Sequence, residues 1–483
     1  MAVTEGLKPE KVFYYFEKIC GIPHGSGNVG RLSDYLAEFA SDRGLYCIQD
    51  EWKNIIIVKE AAQGYETEPP IILQGHMDMV AVKKPDADID MASQGLRLAV
   101  EGDYLYAEDT SLGGDDGIAV AYALAILEDE EILHPRLEVI VTVDEETGMD
   151  GAKKLDVSGL QGRRMLNLDS EEEGVILAGC AGGARVDWTL PVRREQGEGC
   201  LFALRIKGLA GGHSGCEIHK ERGNANCCLG RMLYELNEVL EIRLAELRGG
   251  LADNAIPREA EAVFLIPEEG EELLRRQVGR LEAELRYELQ TKDPGVFVEL
   301  ERLPIGCCSC VVGEDSARLI GLLFGAPDGV QAMSADIEGL VETSLNLGIV
   351  KLAREAVGMQ FSVRSSLESA KGAVIKKLEN LARMAGASCQ VRGDYPGWAY
   401  QKASPFRDLT AEVYRRMYGR EPRIEAIHAG LECGILAHKM PGLECISIGP
   451  DMKDIHTTEE RLSISSVERV WDYVIEILKQ KSS

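Results

Sequence analysis

The sequence predicts an α/β fold: a mainly parallel sheet covered by helices, built from both chain ends and interrupted by an inserted α+β domain. Three observations predict it. Short apolar runs alternate with helical runs over the first 180 residues. From about 185 to 397 the chain changes to long charged helices between alternating strands. The last 85 residues return to the first style.

Val12, Phe16 and Ile19 share one helical face, as do Leu32, Leu36 and Phe39 in the next segment. Between them, GSGNVG at 25–30 matches G-x-G-x-x-G, and Asp50 follows twenty residues on. A dinucleotide site needs a strand before those glycines. KVFYYFEKIC is helical by periodicity, so a glycine-rich turn between helices is expected. Strands are expected at NIIIV (54–58), IILQG (71–75), LEVIVTV (137–143) and MLNLD (165–169), with a helix, GIAVAYALAIL, at 117–127. In the middle region, EEGEELLRRQVGRLEAELRYEL (268–289) reads as a helix. LFALRIKGL (201–209) and MQFSVRSSL (359–367) read as strands, each followed by a helix, like two copies of one unit. ECISIG (444–449) is a buried strand, and Ser465-x-x-Glu468 is a capping box opening a last helix. That helix carries Val467, Val470, Trp471, Val474, Ile475 and Leu478 on one face. The expected organisation is 1–184 and 398–483 in one domain, with 185–397 inserted.

A net charge of −27 argues against nucleic acid, whose phosphates need a basic surface. A solvated acidic face accounts for most of that charge. No run approaches eighteen apolar residues, so no membrane span is expected. The first residues show no apolar secretion segment. The 13 cysteines are scattered, apart from Cys307, Cys308 and Cys310, and read as reduced thiols of a cytoplasmic protein.

Five segments place acids or imidazole at the ends of strands: GHMDMV (His76, Asp78), SLGGDDG (Asp115, Asp116), TVDEETGMDGA (Asp144, Glu145, Glu146), LNLDSEEEG (Asp169) and SIGPDMKDIHTTEE (His456). One acid after a strand is ordinarily a helix cap or loop residue, and a lone histidine is ordinarily hydrogen-bonded or on the surface. The set is what signals. The carboxyl edge of a parallel sheet is the usual location of a site, and acids gathered there repel one another unless cations neutralise them. Two divalent ions sharing a carboxylate do so, and imidazole with carboxylate suits zinc, cobalt or manganese. In TVDEETG, one glutamate can bind metal while its neighbour takes a proton from water.

Together these segments resemble the zinc aminoacylase–carnosinase superfamily of metallopeptidases. GGHSGCEIHKERGNAN (211–226), NAIPRE (254–259), SVRSSLES (362–369) and HAGLECG (428–434) resemble its bacterial aminoacyl-histidine dipeptidase (peptidase D) subfamily. The likeness runs over essentially the whole chain, in order. It implies a zinc-peptidase-like catalytic domain with an inserted lid. It implies that His76 and Asp169 bind one metal, Glu146 and His456 the other, and Asp115 both. Glu145 would be the general base, Asp78 would orient His76, and His213 would stabilise the oxyanion. Arg364 would pair with the substrate's carboxylate, Asn254 would hydrogen-bond the substrate, and Gly430 and Glu432 would line the pocket. The implied activity is hydrolysis of short peptides, Xaa-His dipeptides such as β-alanyl-histidine among them. The alternatives are a deacylase of N-acyl amino acids using the same metals, and a non-catalytic metal-binding scaffold. A homodimer through the lid helices fits this reading, and so does a doubled lid acting within one chain. Asp116 fills a place where Asn or Asp would serve equally. His219 and His428 are left between pocket and structural roles, and His24, His134 and His438 are background.

Overall fold

The computed structural model describes residues 3–304 and 308–481, so Cys307 lies outside the described residues. Two compact units are present. The first is Met1–Gly179 with Tyr400–Ala426 and Leu431–Ser483; the second is Cys180–Ala399 with Ile427–Gly430. Residues 180–184, 398–399 and 427–430, expected with the catalytic part, group with the second unit.

The first unit holds an eight-stranded sheet in the order Tyr46–Gln49, Ile55–Lys59, Leu137–Thr142, Ile71–His76, Arg164–Asn167, Glu444–Ser447, Val175–Cys180, Arg423–Ile427. The four strands from Leu137–Thr142 to Glu444–Ser447 run parallel, and antiparallel strands flank them. Ile71–His76 and Leu137–Thr142 are buried along their whole length. Their near-continuous apolar sequence is what strands covered on both faces require. Helix Gly114–Glu128 is buried from Gly114 through Leu127, so its alanine-rich run is apolar all round. Helix Glu10–Cys20 packs on it with Val12, Phe13, Phe16 and Ile19 buried. The 25–30 glycine segment leads from this helix into helix Gly30–Asp42, with no strand before it. Helix Pro405–Tyr418 starts on Ser404, whose side chain accepts from the Arg407 N–H, and stops at Gly419 in the left-handed region.

The last helix runs Ile464–Leu478, and its cap differs from the expected one. Ser463 is the N-cap, accepting from Ser466 N–H, while Ser465 donates its own N–H and hydroxyl to Asp103. The Ser465-x-x-Glu468 spacing is real, but Asp103 from a distant segment claims the serine.

The second unit is built on a nine-stranded sheet. Cys200–Lys207 and Ala356–Ser365 both lie in it, each followed along the chain by a long helix, Ala225–Asn237 and Glu368–Ala385. Among the described residues, no helix is long and apolar enough to cross a membrane, and no disulfide forms.

Candidate active site

Parallel strands end at the same edge of a sheet. That places His76, the Asp144–Glu146 turn and Asp169 side by side, because each ends or closely follows one of the parallel strands. Asp115 joins them from the first turn of helix Gly114–Glu128, and His456 from the segment after Glu444–Ser447.

Asp115 sits between two imidazoles. Its Oδ1 lies 3.1 Å from His76 Nε2 and its Oδ2 3.1 Å from His456 Nε2. Asp169 Oδ1 is 3.6 Å from His76 Nε2. Glu146 Oε1 is 2.8 Å from His456 Nε2, yet this buried oxygen makes no hydrogen bond. Within the described residues, His76–Asp115–Glu146 and His76–Asp116–Asp169 have ligand atoms spaced to hold an ion. Five carboxylates (Asp115, Asp116, Glu145, Glu146 and Asp169) gather here with the imidazoles of His76 and His456. Burial opposes protonation of His76, but Asp115, Asp169 and Asp78 outweigh it and hold its pKa well above the usual value. The carboxylates of Asp115 and Glu146 beside it push His456 up to about 10. Burial, together with nearby Asp115, moves Asp169 up to about 7. The imidazoles are thus drawn into supplying positive charge that divalent cations would supply better, so the donor set fits such ions.

The carboxylate of Asp78 only shares the part expected of it. The Nδ1–H of His76 donates to the Asp78 carbonyl at 2.9 Å, and the carboxylate stands farther off, at 3.5 Å. The carboxylate instead accepts from Ser26 Oγ at 2.7 Å and from the Glu145 N–H at 3.0 Å. Asp78 therefore meets His76 chiefly through its carbonyl, with its carboxylate alongside, and holds the Glu145 turn through its side chain. With Nδ1 protonated, the Nε2 lone pair of His76 is free to ligate.

Glu145 is carried well above its usual pKa, by burial first and then by the nearby carboxylates Asp169, Glu432 and Glu146. Glu432, expected in the pocket, is fully buried. Its Oε2 accepts from Gln74 at 2.6 Å and Thr142 at 2.5 Å, beneath the strands that carry His76 and Glu145. Glu432 is as buried as His76, and its other oxygen, Oε1, has no partner. It comes from the first turn of helix Glu432–Lys439, which faces Gln74 and Thr142 on neighbouring strands.

Two contributors had no role assigned from the sequence. Asp116 is fully buried and accepts the His76 N–H at 3.1 Å. Gly75 makes room for it, since a Cβ there would lie 2.5 Å from Asp116 Oδ2. Glu460, four residues after His456, accepts the N–H groups of Leu112, Gly113 and Gly114 at 2.8, 3.2 and 2.8 Å. It ties the His456 segment to the loop that presents Asp115. The second glutamate of HTTEE was the only signal for it. Glu460→Gln keeps one acceptor oxygen and turns an NH₂ toward a buried N–H. It is expected to lower unfolding stability in urea by about 1–3 kcal/mol and to weaken metal affinity; an unchanged midpoint would contradict the tie.

In the second unit, His213 Nδ1 accepts from the Gly215 and Cys216 N–H groups at 3.2 and 3.1 Å, so its proton sits on Nε2. Burial and nearby Arg364 keep its pKa below the usual value, and the ring stays neutral. Arg364 lies close by: a Cβ on Gly215 would be 3.0 Å from His213 Cε1 and 3.2 Å from Arg364 Cζ. Asn254 is exposed, and its carbonyl accepts from Ser214 N–H at 2.8 Å. Gly430 is half-buried in the same unit.

Fold and site define a metallopeptidase, a hydrolase acting on peptide bonds. The chain belongs to peptidase family M20/M25/M40, whose profile it matches over residues 72–480. It is 38% identical over 482 residues to the cytosol non-specific dipeptidase of Escherichia coli (strain K12), covering 99% of each chain. The solved aminoacylhistidine dipeptidase from Vibrio alginolyticus superposes with a TM-score of 0.94 at 36% identity, covering 100% of this chain and 99% of that one. Aminopeptidase PepT from Bacillus cereus ATCC 10987, at 16% identity and a TM-score of 0.56 with 98% of each chain covered, shares the fold.

Proposed function

We infer that this chain is a cytoplasmic dipeptidase working with two divalent cations, zinc in the first instance, with cobalt or manganese able to replace it. The observation that carries this reading is Asp115, whose two oxygens each meet a different imidazole at 3.1 Å, as a bridging carboxylate must. His76 and Asp169 would hold one ion, Glu146 and His456 the other, and Asp115 both. Bound there, the ions would polarise the scissile carbonyl and acidify water.

The residues do the rest. Glu145 takes the proton of the attacking water and passes it to the leaving amine. Its turn is held by Asp78, so the carboxylate does not have to search for its geometry. His213, with its proton fixed on Nε2, donates to the developing oxyanion. Arg364 receives the substrate's terminal carboxylate, which its planar fork matches. Asn254 and Gly430 complete the substrate contacts. The names of the two relatives support dipeptides as substrates, and the Vibrio protein's name supports Xaa-His dipeptides such as β-alanyl-histidine among them.

The test is a panel of free and C-terminally amidated dipeptides, assayed after metal loading. Amidation is expected to raise KM by about tenfold or more, the loss of a charge-assisted bond. Arg364→Ala should abolish the difference, and Arg364→Lys should restore only part of it, because charge returns without the fork. Equal cleavage of free and amidated substrates by the native enzyme would count against a carboxylate anchor and favour a deacylase.

A further inference from the structure

Arg364 belongs to a polar row that crosses the sheet of the second unit. Ser344 pairs with Arg364, Arg364 with Gly183, and Gly183 with Tyr395, on four adjacent antiparallel strands. Residues paired in this way project to the same face. Gly183 has no side chain to project. A Cβ there would lie 2.7 Å from the Tyr395 hydroxyl and 2.8 Å from its ring, so the tyrosine lies across the glycine toward Arg364.

The Tyr395 backbone is held in place. Lys371, 1% exposed, donates to the Tyr395 carbonyl at 2.6 Å and pairs with Asp394 at 2.6 Å. At the other end of the row, Ser344 Oγ is 2.7 Å from His428 Nε2. Arg364 itself is left open. Its Nε is buried with no partner, and the Tyr395 hydroxyl stands 3.5 Å from its terminal nitrogen, too far to satisfy it. No carboxylate among the described residues pairs with it, in a chain of net charge −27 where most other arginines are paired.

A guanidinium only donates, so a phenol beside it can only accept from it, which leaves the phenol's own proton free. A carboxylate resting on Arg364 has lone pairs to spare for that proton. We propose that Tyr395 is a specificity-determining residue: its hydroxyl donates to the terminal carboxylate that Arg364 binds, and Gly183 is the gap that lets it reach. This rests on the assignment of Arg364 made above.

The experiment compares Tyr395→Phe with the native enzyme on free and amidated dipeptides, with metals loaded and thermal unfolding followed alongside. KM for the free dipeptide is expected to rise about tenfold with kcat changed by less than about twofold, while KM for the amide hardly moves. On an Arg364→Ala background, Tyr395→Phe should have no further effect. Replacing Tyr395 with 3-fluorotyrosine, which keeps the shape and makes a stronger donor, should lower KM for free dipeptides only. An equal loss on both substrates, or no change in KM in either variant, overturns the proposal. If Arg364→Ala raises KM for the free dipeptide but not for the amide, while Tyr395→Phe leaves both unchanged, this inference alone fails. If Arg364→Ala changes KM for free and amidated dipeptides equally, the carboxylate anchor fails and this inference with it.

Discussion

Replacing Asp115 with alanine is expected to empty both cation positions at once. Each of its oxygens lies 3.1 Å from an imidazole of a different half of the site. Losing a residue that merely supports a ligand costs about 10–100-fold in metal affinity or activity, so loss of the shared ligand should cost at least about 100-fold. The substitution also leaves His76 and His456 facing Asp169 and Glu146 without the group between them. Elemental analysis of Asp115→Ala after metal loading and desalting should find less than one ion per chain, with dipeptide hydrolysis lost in parallel. Retention of one tight ion and substantial turnover would mean that the two halves are independent and Asp115 does not bridge them.

Glu145→Gln separates binding from chemistry. The amide keeps the shape of the side chain, and the Glu145 backbone N–H keeps its 3.0 Å bond to Asp78, so the turn should stay in place. The proposed ligand is the next residue, Glu146, so both ions should remain. The group that accepts the proton is gone, and general-base catalysis of this kind is worth about 10²–10⁴-fold. The expected result is kcat lowered within that range with metal content unchanged. Near-native turnover would show that another group takes the proton, and loss of metal would show that the two glutamates exchange roles.

How much of this was legible in the sequence depends on distance along the chain. Apolar runs such as IILQGH and LEVIVT report burial on both faces, so the parallel core could be read residue by residue. The acids that follow those strands could be read too, because parallel strands deliver their ends to one edge; His76, Asp115, Glu146, Asp169 and His456 do come together. What could not be read were partners set by tertiary contact. Ser465 looks like a cap until Asp103, 362 residues away, takes its hydroxyl. Nothing local to HAGLECG shows that Gln74 and Thr142 hold one oxygen of Glu432. Asp78 sits two residues from His76, a spacing suited to a carboxylate–imidazole bond, but its own carbonyl is nearer. Glu460 and the Ser344–Arg364–Gly183–Tyr395 row depend on pairings that no local pattern encodes.

The most direct measurement is a titration of metal-free protein with zinc or manganese, following hydrolysis of a free dipeptide against ions bound per chain. The expected result is no turnover in the metal-free protein and activity that reaches its plateau at two equivalents. Turnover that survives complete chelation, or a plateau at one equivalent with no second ion bound, would contradict the two-cation site built around Asp115.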